Sequence, residues 1–510
     1  MGRVTNLVGV LLVSLLCSGV VLAAPGCPEI QQFLAGKAVG VLCFHSTDLR
    51  ANNPFGTTGI TPLDNSIKTF ADGTPLPGPT ILGSNFSFTP QTDRSVISNG
   101  PTPTLVAVPG IQVEGWFADD PEKEARFLLR FPDNWNGKLV VAGVAGTRSE
   151  YNGDWAWSDY VLPKGYAYAS QNKGVLNVYF VLLGSLTPPA GDPLACRLNP
   201  SSTNWVHYYT SDPQKPFTVW TQYMLLTASL AQEATRVTYG HFPRRTYAVG
   251  TSNGGYQVRR AIEEAPNLFD GGVDWEGTFI DPNGPNVLVD LPHVLANFPA
   301  YVASGYDPNS KAAQNILAAG YPPDIVNHTP TGVDSLWGRY NGSFWEVTTC
   351  QWQKRFDPSY DTYVSGLANY DYLSRLNVPG VYDSVAAVQT TGKIKKPLVT
   401  VAGTMDALLP IKRQARAYEA VVNASRQGNN DQRNAQYRLY EVQNGNHIDP
   451  YVIPFPQLAP IQPHSQKAFD LLVDHVESNS PLPPSQCIPK GGAISQNPLQ
   501  PGNCVNLFVP

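Results

Sequence analysis

Residues 247–255 read YAVGTSNGG, an apolar run followed by a serine between glycines. The run has the composition of a buried β-strand and the residues after it read as a helix, so Ser252 is predicted to lie on a tight strand-to-helix turn. Small neighbours leave room for this turn, whose backbone is strained and whose hydroxyl projects above the sheet. The stretch predicts a nucleophilic serine in an α/β fold. The structural alternative is a glycine-rich turn in which Ser252 only caps the helix.

Apolar runs bounded by glycine alternate with helix-like segments from residue 126 onward. This alternation is typical of a mostly parallel sheet with helices on both faces. The predicted strands cover residues 139–142, 166–170, 247–249, 272–274, 398–402 and 437–442. The predicted helices cover residues 218–233 and 257–264.

A serine hydroxyl needs a base to take its proton, and in folds of this type an acid and then a histidine follow the serine along the chain. His447 is the preferred base because it follows the last predicted strand, and such sheets place functional groups at the carboxyl ends of their strands. Of the other histidines after the serine, His293 and His328 lie in a segment that reads as an inserted cap. Solvated or capping roles are expected for His464 and His475, which lie in or beside a terminal helix-like stretch.

The orienting acid should follow the strand before the histidine. Asp406 follows residues 398–402 through a glycine, and a carboxylate there can fix the imidazole tautomer and stabilise the imidazolium. Asp274 and Glu276 are the main rival acids, and Asp449 is too near His447 in sequence to be preferred. The structural alternative for Asp406 is a helix cap.

Backbone amides should stabilise the oxyanion that forms during acyl transfer. The Asn253 amide, at the start of the helix after the serine, is the first predicted donor. The second should come from the loop 143–146, which follows an early strand, through the amide of Val144 or Ala145. The sequence does not choose between these two.

Three segments resemble the tannase and feruloyl esterase family of α/β-hydrolases. They are residues 250–255 with 268–272, residues 403–410, and residues 445–447. The resemblance implies an α/β-hydrolase fold and a serine esterase with the triad Ser252, Asp406 and His447. That family typically has a cysteine before the serine and another after the histidine, whereas this sequence has Thr251 and Ile448. Specificity for phenolic esters is therefore open, and hydrolases of hydroxyalkanoate oligomers share the same core.

The rhythm of strands and helices also suggests domain boundaries. An N-terminal extension of short strands and loops is predicted for residues 24–125, and the hydrolase core for residues 126–279 and 393–480. Residues 280–392 are rich in Trp, Tyr, Pro and Asn and read as an inserted cap, whose rings either line a pocket or simply pack together. Residues 481–510 form a C-terminal tail.

The beginning of the chain reads as an export signal over residues 1–23, with Arg3, an apolar run and a small-residue end. A permanent membrane span and a lipidated Cys27 are the weaker alternatives. Removing the signal leaves six cysteines, an even number that suggests disulfides in a secreted or periplasmic protein. Cys27 with Cys43 and Cys487 with Cys504 are the local pairings expected.

Charge and motifs argue against several other classes. The formal charge of −5 without a basic stripe makes a nucleic-acid partner unexpected. No phosphate loop, dinucleotide motif or zinc spacing occurs, so neither a cofactor nor a metal is predicted, and residues 281–286 read as a turn rather than a calcium loop.

The composition and motifs together favour a secreted serine esterase that hydrolyses aryl or otherwise bulky esters through an acyl-enzyme. A hydroxyalkanoate oligomer hydrolase and a peptidase on the same fold are the enzymatic alternatives. A non-catalytic secreted binding protein on a hydrolase scaffold is the alternative of another class, because a fold alone never proves activity.

Overall fold

A computed structural model describes residues 26–49, 106–146, 150–151, 153–181, 196–197, 204–209, 215–330, 332–427 and 436–510. The predicted signal peptide, and residues 50–105 of the predicted N-terminal extension, lie outside these ranges.

The strands and helices are numbered here in chain order. The strands are β1 (Ala38–Ser46), β2 (Gly110–Phe117), β3 (Arg126–Pro132), β4 (Lys138–Gly143), β5 (Ala167–Gln171), β6 (Leu176–Val181), β7 (Asn204–Tyr209), β8 (Arg245–Thr251), β9 (Gly271–Trp275), β10 (Val326–Thr329), β11 (Gly332–Ser335), β12 (Leu398–Gly403), β13 (Tyr437–Val442), β14 (Gln486–Ile488) and β15 (Gln500–Pro501). The α-helices are α1 (Cys27–Leu34), α2 (Asp159–Val161), α3 (Thr218–Tyr239), α4 (Asn253–Glu264), α5 (Val287–Ala303), α6 (Lys311–Ala318), α7 (Leu336–Tyr340), α8 (Glu346–Phe356), α9 (Thr362–Ser365), α10 (Val381–Ala386), α11 (Ala415–Gln427) and α12 (Gln462–Ser478).

An 11-stranded sheet runs through the molecule in the order β1-β2-β3-β5-β4-β8-β9-β12-β13-β14-β15. The strands from β5 to β14 pair in parallel, whereas β1, β2 and β3 at one end and β15 at the other pair antiparallel. Pairs β6–β7 and β10–β11 form separate two-stranded sheets. The described strands before residue 125 thus extend the central sheet.

Successive residues of β4 pack into different cores, as expected for a strand buried on both faces. Val141 lies in a core with Met224 of α3 and Val258 of α4. Val140 lies in the opposite core, with Trp157 and Phe469, the latter on α12. Helices therefore cover both faces of the sheet, as predicted.

Every predicted core strand occurs, and four of the six are longer than expected, by one to four residues. The helix expected over 218–233 continues to Tyr239. The helix expected from 257 begins at Asn253, directly after the serine, because the glycines allow the chain to turn at once from strand to helix.

The segment between β9 and β12 contains six helices, α5 to α10, among its described residues, and the pair β10–β11. Its residues Trp337, Tyr340, Trp345 and Trp352 are buried in an apolar core that also includes Trp220 of α3. Tyr363 is 47% exposed. Most of the aromatic rings noted in the sequence therefore pack with one another.

Three disulfides join Cys27 to Cys43, Cys196 to Cys350, and Cys487 to Cys504. Both local pairings expected from the sequence are confirmed, and the bonded Cys27 has no thiol left for a lipid. Within the described ranges, no helix has the length and apolar character needed to cross a membrane.

Candidate active site

Ser252 lies on the turn between β8 and α4 with backbone angles of φ 58° and ψ −122°. Residues other than glycine rarely hold a positive φ, and such strain is retained mainly where function requires it. The Ser252 amide donates a hydrogen bond to the carbonyl oxygen of Trp275 at 2.8 Å, which ties the turn to the end of β9. The strained turn predicted from the sequence is present.

The glycines around Ser252 are required by close backbone contacts. A Cβ atom on Gly250 would lie 2.3 Å from the Gly254 carbonyl oxygen, and one on Gly254 would lie 2.4 Å from that of Gly143. No side chain fits at these distances. The spacing of the glycines therefore follows from how closely α4 crosses the ends of β4 and β8.

His447 and Asp406 are in direct contact. The Nδ1 atom of His447 lies 2.8 Å from Oδ2 of Asp406, and both side chains are buried. The other oxygen of Asp406 accepts hydrogen bonds from the amides of Leu408 and Leu409, both at 2.7 Å. The second oxygen thus stabilises the turn after β12 and does not cap a helix, because the next helix, α11, begins only at Ala415. The helix start expected at Leu408 was wrong.

Ser252, Asp406 and His447 follow strands β8, β12 and β13, which run parallel and lie close together in the sheet. The carboxyl ends of parallel strands share one edge of a sheet, so the three residues lie at the same edge. Their catalytic roles remain predictions.

Glu276, one of the rival acids, lies near the same nitrogen of His447. Its Oε2 is 3.4 Å from Nδ1 of His447, and its Oε1 accepts a hydrogen bond from the Gly403 amide at 2.9 Å. Burial and the nearby Asp406 carboxylate raise the pKa of Glu276 well above its usual value. The nearer and better aligned partner of the imidazole is Asp406.

Among the described residues, Glu276, Asp406 and His447 form a group whose possible ligand atoms lie within 4.8 Å of one another. A metal could bind there only by displacing the hydrogen bond between His447 and Asp406. The expectation that the protein needs no metal stays a prediction.

The remaining rival residues have other partners. Asp274 is buried against Arg259, with an oxygen 2.5 Å from the guanidinium Nε. Asp449 accepts hydrogen bonds from the amides of Ile461 and Gln462 at the start of α12. These contacts support structural roles for both carboxylates.

Two of the other histidines form hydrogen bonds with backbone carbonyl oxygens. His293 contacts the carbonyl oxygen of Asn315, and His475 that of Ser480. His328 lies on β10. His464, near the start of α12, has a pKa lowered by burial to about 4.

Asn253 is the first residue of α4, and its side-chain oxygen accepts a hydrogen bond from Thr278 at 3.1 Å. In the loop after β4, the carbonyl oxygen of Val144 accepts a hydrogen bond from Gln257 at 2.9 Å. Gln257 was not predicted as a site residue, although a glutamine five residues after the serine on a predicted helix is a signal for such a role.

The segment between β9 and β12 also contacts the loops that carry the acid and the histidine. The Tyr340 hydroxyl donates to Oδ1 of Asn446 at 2.7 Å, and the Trp345 indole donates to the carbonyl oxygen of Ala407 at 2.7 Å. Asn446 and Ala407 are the immediate neighbours of His447 and Asp406. No local pattern in the sequence could have predicted these pairs, which are far apart along the chain.

Comparison with known proteins gives two kinds of similarity. A family model described as 3HB-oligomer hydrolase matches residues 363–506, a range that contains Asp406 and His447. A D-(-)-3-hydroxybutyrate oligomer hydrolase of Burkholderia thailandensis is 35% identical over 129 residues, and one of Burkholderia mallei is equally similar. The match covers 24% of this chain and 18% of each of those proteins.

The structural comparison extends over most of the chain. Feruloyl esterase B from Aspergillus oryzae superposes with a TM-score of 0.50 and 12% identity, covering 89% of this chain and 90% of its own. Tannin acyl hydrolase from Aspergillus niger superposes with a TM-score of 0.38 and 14% identity, covering 75% and 81%. The chain has the α/β-hydrolase fold that the sequence resemblance implied.

Proposed function

We propose that the protein is a serine esterase that hydrolyses carboxylic esters through an acyl-enzyme on Ser252. The observation that carries the proposal is the 2.8 Å contact between His447 and Asp406 at the sheet edge where the strained Ser252 turn also lies. A buried carboxylate on Nδ1 leaves Nε2 of the imidazole free to act as a base.

In the proposed reaction, His447 takes the proton of the Ser252 hydroxyl as the oxygen attacks the ester carbonyl. The resulting oxyanion is stabilised by the amide of Asn253 and by a second amide from the loop after β4. Collapse of the tetrahedral intermediate breaks the ester bond, and the histidine gives its proton to the departing alcohol. A water molecule, activated by the same histidine, then releases the acid and restores the serine.

We favour short hydroxyalkanoate oligomers as the substrate class. The support is the sequence similarity over residues 363–506, which includes the acid and the histidine. Aryl esters are the second candidate. Their support is weaker because four aromatic residues of the proposed cap, Trp337, Tyr340, Trp345 and Trp352, are buried. Nucleic acid is not expected as a partner, because the formal charge is −5.

The test begins with labelling of the purified protein by a fluorophosphonate, beside Ser252→Ala. Hydrolysis of hydroxybutyrate dimers and trimers, aryl esters and short alkyl esters is then compared. We expect labelling and turnover in the wild type, loss of both in the variant, and the highest kcat/KM on the oligomers. A folded wild type that is neither labelled nor active would contradict the proposal and favour a non-catalytic binding protein.

We also propose that the protein is exported. The apolar, small-residue pattern of residues 1–23 and the three disulfides support an oxidising compartment. Fractionation of cells that produce the full chain, with mass spectrometry of its N-terminus, should find the processed protein outside the cytoplasm. An unprocessed chain that stays in the cytoplasm would contradict this part.

A further inference from the structure

One buried amide joins the loop after β4 to the first turn of α4. Gln257 is fully buried, and its Nε2 donates hydrogen bonds to the carbonyl oxygens of Val144 at 2.9 Å and Asn253 at 3.1 Å. These two carbonyls belong to the two segments predicted to supply the oxyanion donors. A single side chain therefore sets the distance between these segments.

A buried lysine holds the next part of the same loop. The Nζ atom of Lys173 donates to the carbonyl oxygens of Ala145 at 2.6 Å and Gly146 at 2.5 Å. Gln171 connects the two anchors, because its Nε2 donates to Oε1 of Gln257 at 2.7 Å and its Oε1 accepts from the Lys173 amide. Three consecutive carbonyls of the loop are thus bound by one connected network.

The direction of the carbonyls fixes the direction of the amides. In a trans peptide the C=O and the N–H point in opposite directions. The Val144 carbonyl faces Gln257, so the Ala145 amide of the same peptide points away from that side chain. The carbonyl that faces α4 is that of Gly143, whose oxygen lies 2.4 Å from where a Cβ on Gly254 would lie, so the Val144 amide of that peptide points away from α4. Of the two candidate donors, Ala145 is the one whose peptide carbonyl, that of Val144, is bound by the Gln257 side chain.

We propose that Gln257 and Lys173 are positioning residues that hold the Ala145 amide, together with the Asn253 amide, as the oxyanion hole. This inference rests on the proposed esterase function. Donors that stabilise a transition state must be held in place before the reaction, since reorganising them costs part of the gain. Loss of either anchor should therefore weaken binding of the oxyanion more than binding of the ester.

The test compares the wild type with Gln257→Leu and Lys173→Met. For each protein, kcat and KM are measured on the best ester of the panel. The inhibition constant is measured for a trifluoromethyl ketone of similar size, whose carbonyl carbon adds the Ser252 oxygen while the proton passes to His447. We expect kcat to fall about 10- to 100-fold and KM to change less than about 3-fold. The inhibition constant should rise in parallel with the fall in kcat/KM.

Two further variants separate positioning from general damage. Gln353→Leu is the matched control, because Gln353 is also fully buried and its Nε2 also donates to two backbone carbonyls, those of Asp357 at 2.6 Å and Tyr360 at 3.3 Å. It should lose similar stability while keeping kcat. Lys173→Arg retains donors at the lysine position and should recover part of the kcat that Lys173→Met loses.

The outcomes are distinct. The inference would be overturned if Gln257→Leu and Lys173→Met keep the kcat and the inhibitor affinity of the wild type. It would also be overturned if they lose no more kcat and inhibitor affinity than Gln353→Leu does. In both cases the Ser252-dependent activity of the wild type would stand. If Gln257→Leu does not fold, Lys173→Met and Gln171→Met give the same comparison, with the smaller loss expected at Gln171. A wild type without activity would contradict the esterase proposal itself, and this inference with it.

Discussion

Two carboxyl groups lie beside Nδ1 of His447, and their surroundings differ. Asp406 lies 2.8 Å away and also accepts hydrogen bonds from two backbone amides. Glu276 lies 3.4 Å away, and burial together with the charge of Asp406 raises its pKa well above the usual value. The two carboxyl groups thus differ in their distance from the imidazole and in their hydrogen-bond partners.

This difference predicts unequal effects of removing each acid. Asp406→Asn places an amide against Nδ1, favours the wrong tautomer and should lower kcat by about 10³- to 10⁴-fold. Glu276→Gln changes the carboxyl that lies farther from Nδ1, at 3.4 Å, and should change kcat less than about 3-fold at pH 7. Steady-state kinetics on the best ester would measure both. A larger loss in Glu276→Gln would identify Glu276 as the orienting acid.

Asp449 predicts a pH dependence of stability. Burial raises its pKa to about 7, above the value of 3.8 expected for a free side chain. A raised pKa in the folded state contributes stability that is fully present below about pH 4 and is lost as the pH rises through about 7.

Asp449→Asn removes this titration. The stability of the wild type relative to the variant should therefore fall by about 2 kcal/mol between pH 5 and pH 8. Urea unfolding at the two pH values measures the difference. Burial also raises the pKa values of Asp290 and Asp324 to about 6. Both residues are present in both proteins, so their contributions to the pH dependence cancel in the comparison. A difference independent of pH would contradict the prediction.

Among the elements of the fold, the segment from α7 to α8 supports the site from outside the sheet. Tyr340 binds the residue before His447, and Trp345 binds the residue after Asp406. The histidine and acid loops are therefore held by the inserted segment as well as by β12 and β13.

Tyr340→Phe tests this support. Removing the hydroxyl deletes one buried hydrogen bond and should cost about 1 kcal/mol of unfolding free energy. It should also lower kcat severalfold, because the histidine loop loses an anchor. Tyr372→Phe is the control, since its buried hydroxyl donates to the carbonyl oxygen of Pro282 at 2.8 Å in the same segment. Equal kcat values in the two variants would show that the contact is only structural.

The sequence predicts elements of this kind better than it predicts contacts between them. The core strands and the Ser252 turn could be predicted because glycines and apolar runs act over a few neighbouring residues. Glu276 was recognised as an alternative acid, but its 3.4 Å approach to the imidazole depends on the adjacency of β9 and β12. The contacts of Tyr340 and Lys173 join distant parts of the chain through buried polar atoms, which leave no periodic pattern.

On the scale of the whole molecule, the C-terminal segment binds back onto the site. Val509 exchanges two backbone hydrogen bonds with the Asn444 side chain, and the Thr404 hydroxyl donates to the carbonyl oxygen of Leu507. Asn444 lies three residues before His447, and Thr404 two residues before Asp406. The Cys487–Cys504 disulfide fixes the start of this segment.

The disulfides at the two ends of the chain form a matched pair for a test. Cys27–Cys43 and Cys487–Cys504 span 16 and 17 residues, so each should stabilise the fold by about 3 kcal/mol. Replacing either pair by serine should lower the free energy of unfolding similarly. Only loss of Cys487–Cys504 should also lower kcat, because it frees the segment bound to Asn444 and Thr404. Equal kcat in the two double variants would contradict this role.

The same two disulfides lie at opposite ends of the central sheet. Cys43 is on β1, the outermost strand on one side, and Cys487 is on β14, next to the two-residue β15 on the other. Helix α1 packs against β1 and is attached to it by Cys27. Exposed strand edges offer free amides and carbonyls to a neighbouring chain. A chain made in a reducing cytoplasm would lack both crosslinks, and we expect its outermost described strands to be held less firmly and to pair more readily with a neighbouring chain.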